Sequence, residues 1–280
     1  MQESLPMRHG VYLPPFNELS DPHLLMALAA LCEEQEWDGF FLWDHVLRRE
    51  QLAVADAWIS LAGVACATER VRIGGLVTPL ARRRPQVLAR QVVTLDRLSS
   101  GRVTLGLGLG VDSTGELSRF GEIVDPASRG DLLDEGAELL VRLMSGEQVE
   151  HRGRYFTSDG VRFLPRAVQE PRVPMWFAAV GGAGRTDARA WPAARPVRRA
   201  AHYDGLFLID ATPGDLERAV AIVSAERGGT IEGFDVAVLA EPTLPLDDAE
   251  ALGATWAMLS IEPDMPLAEV RARIAAGPPR

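Results

Sequence analysis

Lysine is absent from this chain of 280 residues, so all 29 of its basic residues are arginines. Without lysine there is no side-chain amine for Schiff-base chemistry or for any other lysine nucleophile. Cysteine is nearly absent as well. Cys32 and Cys66 stand alone, without the C-x-x-C spacing of redox and zinc sites. We expect both to be core residues of helices.

Long hydrophobic runs and excess positive charge are also missing. No apolar stretch approaches the roughly 18 residues that span a bilayer, and the first residues lack the basic start and apolar core of a signal peptide. We therefore expect a cytoplasmic protein with no membrane partner. The net charge of -10 argues against a nucleic-acid partner, whose phosphates require clustered positive charge.

Metal-binding motifs are lacking too. Apart from His45, the histidines are His9, His23, His151 and His202, and they show neither H-x-H nor H-E-x-x-H spacing. Barrel hydrolases that bind metals gather several histidines, so we predict no metal site.

The most informative segment present is 94–110, T-L-D-R-L-S-S-G-R-V-T-L-G-L-G-L-G. As a strand, its second half alternates an apolar face with a nearly bare one. The apolar face carries Val103, Leu105, Leu107 and Leu109. The bare face carries Thr104, Gly106, Gly108 and Gly110. Alternating glycines weaken a strand, so they indicate that something other than side chains fits against this face, such as a flat organic ring or a neighbouring backbone. The residues leave open two further interpretations, a strand crowded by an adjacent helix and a fibrous-like glycine pattern.

Eight strand patterns alternate with helical patterns along the chain. The strands are predicted at 10–13, 38–43, 71–78, 102–109, 173–179, 204–209, 234–240 and 255–261. Eight parallel strands with intervening helices close into a barrel, so we predict an α/β fold, a TIM (β/α)8 barrel in one domain over residues 1–280. The rival is an open doubly wound sheet, but the first strand lacks the G-x-G-x-x-G turn of its dinucleotide-binding version.

Two segments depart from the alternation. Residues 148–164 carry aromatic and β-branched residues around Gly153 and Asp159-Gly160, which predicts a hairpin excursion. Residues 181–196 are rich in Gly, Ala, Arg and Pro and predict a long loop after the fifth strand, on the C-terminal face of the barrel.

Active sites of barrels gather at the carboxyl ends of the strands, so the residues there are the candidates. They include Thr78, Gly110, Asp112, Asp210, Glu241 and Glu262. Trp43-Asp44-His45 is the richest cluster, because a carboxylate and an imidazole beside an aromatic ring can position or protonate a reacting group. Alternatively, Asp44 and His45 form a hydrogen-bonded pair that only closes the barrel rim.

Two candidate anion sites lie at the same end. The backbone N–H groups of Gly181-Gly182 could cradle a phosphate, with Arg198-Arg199 adding charge at a helix start, although Gly-Gly is otherwise an ordinary turn. The run 82–84, three arginines, is either a solvated face or meets an anionic ligand at the barrel mouth.

Several of these segments recur together in a known family. They are D-G-F-F-L-W-D-H (38–45), R-I-G-G-L-V-T-P-L (72–80), the run 83–110, L-L-D-E-G-A-E-L-L-V-R-L-M-S-G (132–146) and V-P-M-W-F-A-A-V-G-G (173–182). Together they closely resemble the bacterial-luciferase-like family of flavin and deazaflavin oxidoreductases. The likeness extends to 198–205 and 253–257 and so covers nearly the whole chain, and L-D-x-L-S-x-G-R-x-x-L-G-x-G is its most specific element.

The resemblance implies a TIM barrel that holds an FMN or deazaflavin F420 ring against the strand ends. It implies a non-proline cis peptide at Leu76–Val77 beneath the ring, with the cofactor phosphate near the glycines after strand five. The cofactor-binding residues it implies are Leu76, Val77, Thr78, Gly106, Gly108, Gly110, Ala178, Ala179, Val180, Gly181 and Gly182. Asp44 and His45 would be the catalytic pair. Relatives that place a glutamate directly after the glycine run have it where this chain has Val111, so that acid is not carried over, and Asp112 is expected to point elsewhere.

The function expected from the resemblance is hydride transfer between the cofactor and a small organic substrate, with F420 slightly favoured. The alternative is an FMN-dependent monooxygenase that uses molecular oxygen. A hypothesis of another class is a non-catalytic cofactor-binding or partner barrel. The family also implies a homodimer.

Overall fold

The computed structural model describes residues 6–48, 52–183, 192–239 and 243–279. Their strands are β1 (Arg8–Leu13), β2 (Gly39–Leu42), β3 (Arg72–Gly75), β4 (Thr78–Pro79), β5 (Leu105–Gly108), β6 (Gln148–Arg152), β7 (Thr157–Arg162), β8 (Met175–Val180), β9 (Gly205–Ile209), β10 (Asp235–Leu239) and β11 (Trp256–Ser260). Nine of them form one parallel sheet in the order β3-β2-β1-β11-β10-β9-β8-β5-β4.

The two ends of this sheet meet, which closes it into a barrel. β3 and β4 flank Leu76 and Val77 and are two parts of the strand predicted at 71–78. A bridge pairs Ile73 in β3 with Val103, just ahead of β5, while β4 pairs with β5 itself. The nine strands therefore occupy eight positions, and the predicted TIM barrel is confirmed.

Eight helices surround the strands in the described residues. They are α1 (Pro22–Glu34), α2 (Ala57–Ala67), α3 (Pro85–Leu98), α4 (Pro126–Met144), α5 (Ala194–Ala201), α6 (Pro213–Glu226), α7 (Leu246–Ala251) and α8 (Leu267–Ala275). Their starts follow from local chemistry: Asp21, Asp56 and Asp125 accept hydrogen bonds from the first-turn backbone of α1, α2 and α4. None of the helices described has both the length and the hydrophobicity that crossing a bilayer requires.

Two apolar cores hold the barrel together. The smaller fills the barrel interior and consists of Tyr12, Phe41, Leu76, Trp176, Phe207, Ala237, Trp256 and Met258. The larger lies between strands and helices and includes Val103, Leu105 and Leu107, the predicted apolar face of the glycine strand. Alternate residues of one strand thus serve the two cores, as the period of two requires.

The predicted excursion over 148–164 is confirmed as the antiparallel pair β6 and β7. Glu135 of α4 anchors it, because its carboxylate accepts hydrogen bonds from the backbone N–H groups of Arg154, Tyr155 and Phe156 and contacts His151 Nε2 at 3.2 Å. Gly153 is required beneath this carboxylate, since a Cβ there would lie 1.9 Å from Glu135 Oε1.

Three predictions about the helices and loops need correction. Cys32 is buried in α1, but Cys66 in α2 is exposed rather than part of the core. The loop predicted over 181–196 ends earlier, because α5 begins at Ala194; residues 184–191 of it lie outside the described residues. Arg198 and Arg199 sit in the last turn of α5, not at a helix start.

Candidate active site

A cavity of about 620 Å³ opens at the carboxyl end of the barrel strands. Its volume lies within the range of about 300 to 1,000 Å³ that small-molecule and cofactor sites occupy. One side is made by the segment between β3 and β4 together with the ends of β5 and β8, and we call it the apolar wall: Leu76, Val77, Gly108, Gly110 and Ala178. The opposite side carries side chains of β1, the ends of β9 and β11, and the segment after β2.

The Leu76–Val77 peptide bond is cis, as predicted. Leu76 is fully buried, and both residues line the cavity. Thr78, the next residue, is predicted to bind the cofactor, but its side chain is fully buried beside Gly75, where a Cβ would lie 2.8 Å from the Thr78 hydroxyl. Thr78 therefore lies outside the described cavity wall.

The bare face of the glycine strand is occupied mainly by the neighbouring chain segment. A Cβ on Gly106 would lie 2.2 Å from Leu76 Cδ2 and 2.7 Å from the Gly75 carbonyl oxygen, and one on Gly108 would lie 2.6 Å from Val77 Cγ1. The glycines thus make room for the segment that carries the cis bond. Of the interpretations that the sequence left open, the structure supports close approach of a neighbouring backbone.

This finding changes the role of each predicted glycine. Gly106 packs against Leu76 and lies outside the cavity wall, whereas Gly108 and Gly110 line the cavity. Gly110 has a φ of 72°, a conformation that glycine adopts at no steric cost. The glycine run therefore shapes the apolar wall indirectly, by allowing Leu76 and Val77 to approach β5.

Asp44 and His45 are adjacent in sequence but have different partners. The Asp44 side chain is buried and accepts hydrogen bonds from Arg83 Nη2, at 2.7 Å to both oxygens, and from Arg82 Nη2 at 3.1 Å. The alternative interpretation, in which Asp44 and His45 bond to each other, is wrong, because both guanidinium groups surround the Asp44 carboxylate. The Arg82 and Arg83 side chains, only 6% and 14% exposed, are neither a solvated face nor open to an external anion.

His45 is held instead by a residue that the sequence analysis missed. Its Nδ1 lies 2.9 Å from Glu116 Oε1, and Glu116 is buried and also accepts from the backbone N–H of Val46. The His45 tautomer that carries its proton on Nδ1 satisfies this contact by donating to Glu116, and it leaves Nε2 for the cavity. Glu116 belongs to the loop after β5, on the same face as the other candidates. Its position in a strand-end loop is the signal in the sequence that points to it.

Asp112 lies in the loop between β5 and α4 and, as predicted, does not line the cavity. Its carboxylate accepts from the backbone N–H groups of Leu117 and Ser118. The N–H bond from Ser118, followed by that from Leu117, lowers the pKa of Asp112. Asp112 thus stabilises the turn that carries Glu116 towards His45.

The predicted phosphate cradle at Gly181-Gly182 is not formed by free amides. The Gly181 N–H donates to the Ile209 carbonyl at 2.7 Å, and the Gly182 N–H donates to Asp215 Oδ2 at 3.0 Å. A Cβ on Gly181 would lie 2.5 Å from the Asp210 carbonyl oxygen, so this glycine serves the packing of β8 against β9. Neither residue lines the described cavity, whereas Ala178, Ala179 and Val180 do.

Arg199 was predicted to add positive charge to this anion site. It lines the cavity but is buried and paired with Asp134 of α4. Arg198 pairs with Glu226 on the outside of the barrel. These two arginines are therefore engaged by protein carboxylates.

The opposite side of the cavity carries a second group of polar side chains, which we call the polar wall: Tyr12, Arg48, Asp210, Ser260 and Glu262. Asp210 and Glu262 were predicted as strand-end candidates, and the structure brings them together with Tyr12 and Ser260, which are neighbours in the register of β1 and β11. Glu241, the remaining strand-end carboxylate, lies outside the described residues. Within those residues, no cluster of three or more His, Cys, Asp or Glu side chains is arranged to hold a metal ion.

The cavity fits the planar ring of a flavin or deazaflavin. Its apolar wall presents small or aliphatic groups, and Trp43 lines the cavity with its ring centroid 5.3 Å from that of Tyr12. The buried Nε1–H of Trp43 has no hydrogen-bond acceptor among the described residues. A ligand with hydrogen-bond acceptors on an aromatic frame matches this combination.

Comparisons with known proteins agree with this architecture. The sequence profile of the family described as luciferase-like monooxygenase matches residues 7–275. An F420-dependent glucose-6-phosphate dehydrogenase of Nocardia farcinica is 30% identical over 255 residues, covering 86% of this chain and 71% of that protein. The protein of the same description from Microbacterium testaceum is 30% identical over 183 residues, 64% of this chain. That match spans 53%, about half, of the Microbacterium protein's length.

Solved structures share the fold at low sequence identity. The F420-dependent tetrahydromethanopterin reductase of Methanopyrus kandleri superposes with a TM-score of 0.76 at 17% identity, covering 97% of both chains. A monooxygenase from Streptomyces bottropensis gives a TM-score of 0.74 at 19% identity, covering 96% of both chains. With the profile match over nearly the whole chain, these findings show that the protein belongs to the luciferase-like monooxygenase family of oxidoreductases.

Proposed function

We propose that this enzyme transfers a hydride between a small organic substrate and F420 or FMN, with F420 favoured. The observation that carries the proposal is a single cavity in which the apolar wall around Leu76–Val77 lies opposite the polar wall, and which is also lined by His45, held from outside the lining by Glu116. F420 is favoured because the relatives at 30% identity are described as F420-dependent. When bound, either cofactor supplies a ring position that accepts or donates a hydride.

The apolar wall is the cofactor's binding surface. Leu76, Val77, Gly108 and Ala178 provide an apolar surface for one face of the ring, and Gly110, Ala179 and Val180 continue it towards the mouth. Leu76 supports this surface from beneath, because its side chain is fully buried and packs against Gly106. Asp44 lines the cavity, and its ion pairs with Arg82 and Arg83 hold the segment after β2 against the segment after β4.

His45 accepts the proton that is released together with the hydride. Oxidation of a hydroxyl-bearing carbon breaks its C–H and O–H bonds and forms C=O. The hydride leaves with both electrons to the cofactor, and Nε2 of His45 takes the proton. Glu116 holds Nδ1–H, so the imidazole keeps the tautomer and the orientation that this transfer needs.

Binding of the two cofactors tests the proposal directly. Fluorescence titration of the purified chain should give saturable binding of F420, with weaker binding of FMN. Ala178→Phe, which places a ring on the apolar wall, should weaken that binding, while Ala225→Phe on the exposed face of α6 should not. A folded chain that binds neither cofactor would leave the non-catalytic barrel as the better description.

Reaction with oxygen separates the two enzymatic alternatives. A chain that binds FMN and consumes molecular oxygen in proportion to substrate is a monooxygenase. A chain that reduces F420 anaerobically with an organic substrate is a dehydrogenase. Steady-state assays with each cofactor under air and under nitrogen distinguish these outcomes.

The chain also forms a homodimer through the face shared by α2 and α3. Ile59, Val87 and Leu98 are 69%, 54% and 47% exposed on these helices. A shallow groove between them holds two buried polar atoms without partners among the described residues, Trp58 Nε1 and Gln91 Oε1. Sedimentation velocity should show a dimer that Ile59→Glu converts to monomer; a monomeric wild-type chain would refute this assembly.

A further inference from the structure

The polar wall contains a tyrosine hydroxyl group that the proposed chemistry does not use. Tyr12 is only 7% exposed, lines the cavity, and its hydroxyl makes no hydrogen bond to any described residue. Its ring is fixed on both sides, with centroids 5.3 Å from those of Trp43 and Phe207. A rigid hydroxyl group at a cavity surface with no protein partner calls for a ligand partner.

Charged groups from three separate segments surround this hydroxyl. Burial, followed by the negative charge of Asp210, raises the pKa of Tyr12; Arg48 opposes the shift and Glu262 adds to it. Tyr12 is therefore protonated at neutral pH and can donate a hydrogen bond. No described residue donates a hydrogen bond to the carboxylate of Asp210 or of Glu262, and none accepts one from the Arg48 guanidinium.

The backbone at Asp210 holds that carboxylate at the rim. Asp210 has a φ of 51°, in the left-handed region that non-glycine residues rarely adopt. Its carbonyl accepts from the Ala183 N–H at 3.0 Å, which ties the end of β9 to the segment after β8. Asp210 is thus fixed by tertiary contacts at the end of its strand.

The balance of charge on this wall selects against anions. Asp210 and Glu262 contribute two negative charges and Arg48 one positive charge. The other arginine on the described cavity surface, Arg199, is paired with Asp134. Arg82 and Arg83 share Asp44 and lie outside the described cavity lining, so their remaining positive charge does not face this wall. A phosphate ester or carboxylate placed at Tyr12 would meet an excess of like charge.

We propose that the polar wall is the substrate subsite and that it takes a neutral, polyhydroxylated substrate whose hydroxyl groups donate to Asp210 and Glu262 and accept from Tyr12. This inference rests on the proposed function, because the substrate must lie between this wall and the cofactor. Ser260 and Arg48 add a hydroxyl and a guanidinium that hydrogen-bond to the same kind of ligand. The substrate class differs from the sugar phosphate named in the description of the 30% identical relatives.

Glucose and glucose 6-phosphate make a matched pair of probes, since they differ only in the phosphate. Saturation-transfer NMR on the F420-loaded wild-type chain should show that glucose binds more tightly than glucose 6-phosphate. The expected difference in affinity is about fivefold, because one unscreened contact between like charges near 4 Å in water has about that effect. The preference should shrink as ionic strength rises, because exposed charges are screened over about 10 Å at 0.1 M salt. Tighter binding of glucose 6-phosphate, or no binding of either sugar, would overturn the inference.

Variants identify the responsible groups. Asp210→Asn combined with Glu262→Gln should abolish the preference for glucose, while Glu269→Gln, an exposed carboxylate on α8, should leave it intact. Tyr12→Phe should weaken glucose binding with F420 affinity unchanged. An unchanged ratio in the double variant would overturn the inference. If the wild-type chain does not bind F420, the proposed function itself is wrong. Failure of the substrate inference and failure of the proposed function are therefore distinguishable.

Discussion

The apolar wall and the polar wall face each other across one cavity of about 620 Å³, yet they are built by different means. In the apolar wall, glycines at 106 and 108 let the main chain around Leu76 and Val77 approach β5 closely. In the polar wall, side chains determine the chemistry: it carries a tyrosine hydroxyl and two carboxylates that have no partner among the described residues. Shape is thus provided by the backbone, and reactivity by residues at strand ends.

The largest expected effect concerns Asp44, which lines the cavity and pairs with two largely buried arginines. Asp44→Ala leaves the Arg82 and Arg83 guanidinium groups without their buried carboxylate. Removing one partner of a buried ion pair costs about 3 to 5 kcal/mol. Chemical denaturation should report this loss of unfolding free energy; a variant as stable as the wild type would show that the cluster contributes little, and Arg273→Ala on the exposed α8 pair serves as control.

Replacing His45 tests the chemistry of the polar side without disturbing the apolar wall. His45→Ala should reduce turnover by about 10² to 10⁴, the usual contribution of a positioned acid or base, with little change in cofactor affinity. Glu116→Gln should reduce it less and shift the pH profile of kcat, because the amide still reaches Nδ1 but carries no charge. Unchanged turnover in His45→Ala would remove His45 from the mechanism.

A substitution in the glycine strand tests the apolar wall in the same way. Gly106→Ala places a Cβ against Leu76 and the Gly75 carbonyl, and overpacking of this kind costs about 1 to 3 kcal/mol. Because the strain falls on Leu76, cofactor affinity should fall together with thermal stability. Gly214→Ala, with nothing within 4 Å of the new Cβ, is the matched control. Normal cofactor affinity in Gly106→Ala would show that the wall does not depend on this contact.

The smallest expected effect lies far from both walls, at the anchor of the β6–β7 excursion. Burial alone would raise the pKa of Glu135, but the backbone N–H of Phe156, His151 and further N–H groups lower it below the usual 4.5. A depressed folded pKa means that Glu135 stabilises the fold above its ordinary pKa and loses this contribution as pH falls through the lower, folded value. Glu135→Gln should cost about 1 kcal/mol at pH 7, the net value of a hydrogen bond. Between pH 5 and pH 3, the unfolding free energy of this variant should fall less than that of the wild type. The same pH dependence in both proteins would contradict the assignment of Glu135 as the anchor of the excursion.

Much of the architecture was predictable because it depends on local patterns. The strands, the helix starting after Asp21 and the excursion over 148–164 follow from periodicity and capping. The cis bond at Leu76–Val77 was predicted from the family resemblance alone. The rule that active sites of barrels lie at the carboxyl ends of the strands also identified Asp210 and Glu262, because parallel strands of a barrel all end at the same face.

The partners of the polar side chains were not predictable in this way. One interpretation of the sequence paired Asp44 with its neighbour His45. Successive side chains at a strand end point in different directions, however, and in the structure their partners are Arg83 and Glu116. The amides of Gly181 and Gly182 likewise satisfy the Ile209 carbonyl and Asp215 rather than an outside anion.

The amino-acid sequence by itself determined the barrel and the face on which its cavity lies, because alternation along strands and capping of helices act over a few residues. Only the tertiary structure decided that the glycine run accommodates Leu76 and Val77, that Glu116 holds His45, and that Tyr12, Asp210 and Glu262 share one wall. These contacts join residues 30 to more than 200 positions apart, and their geometry follows from barrel closure rather than from any local pattern.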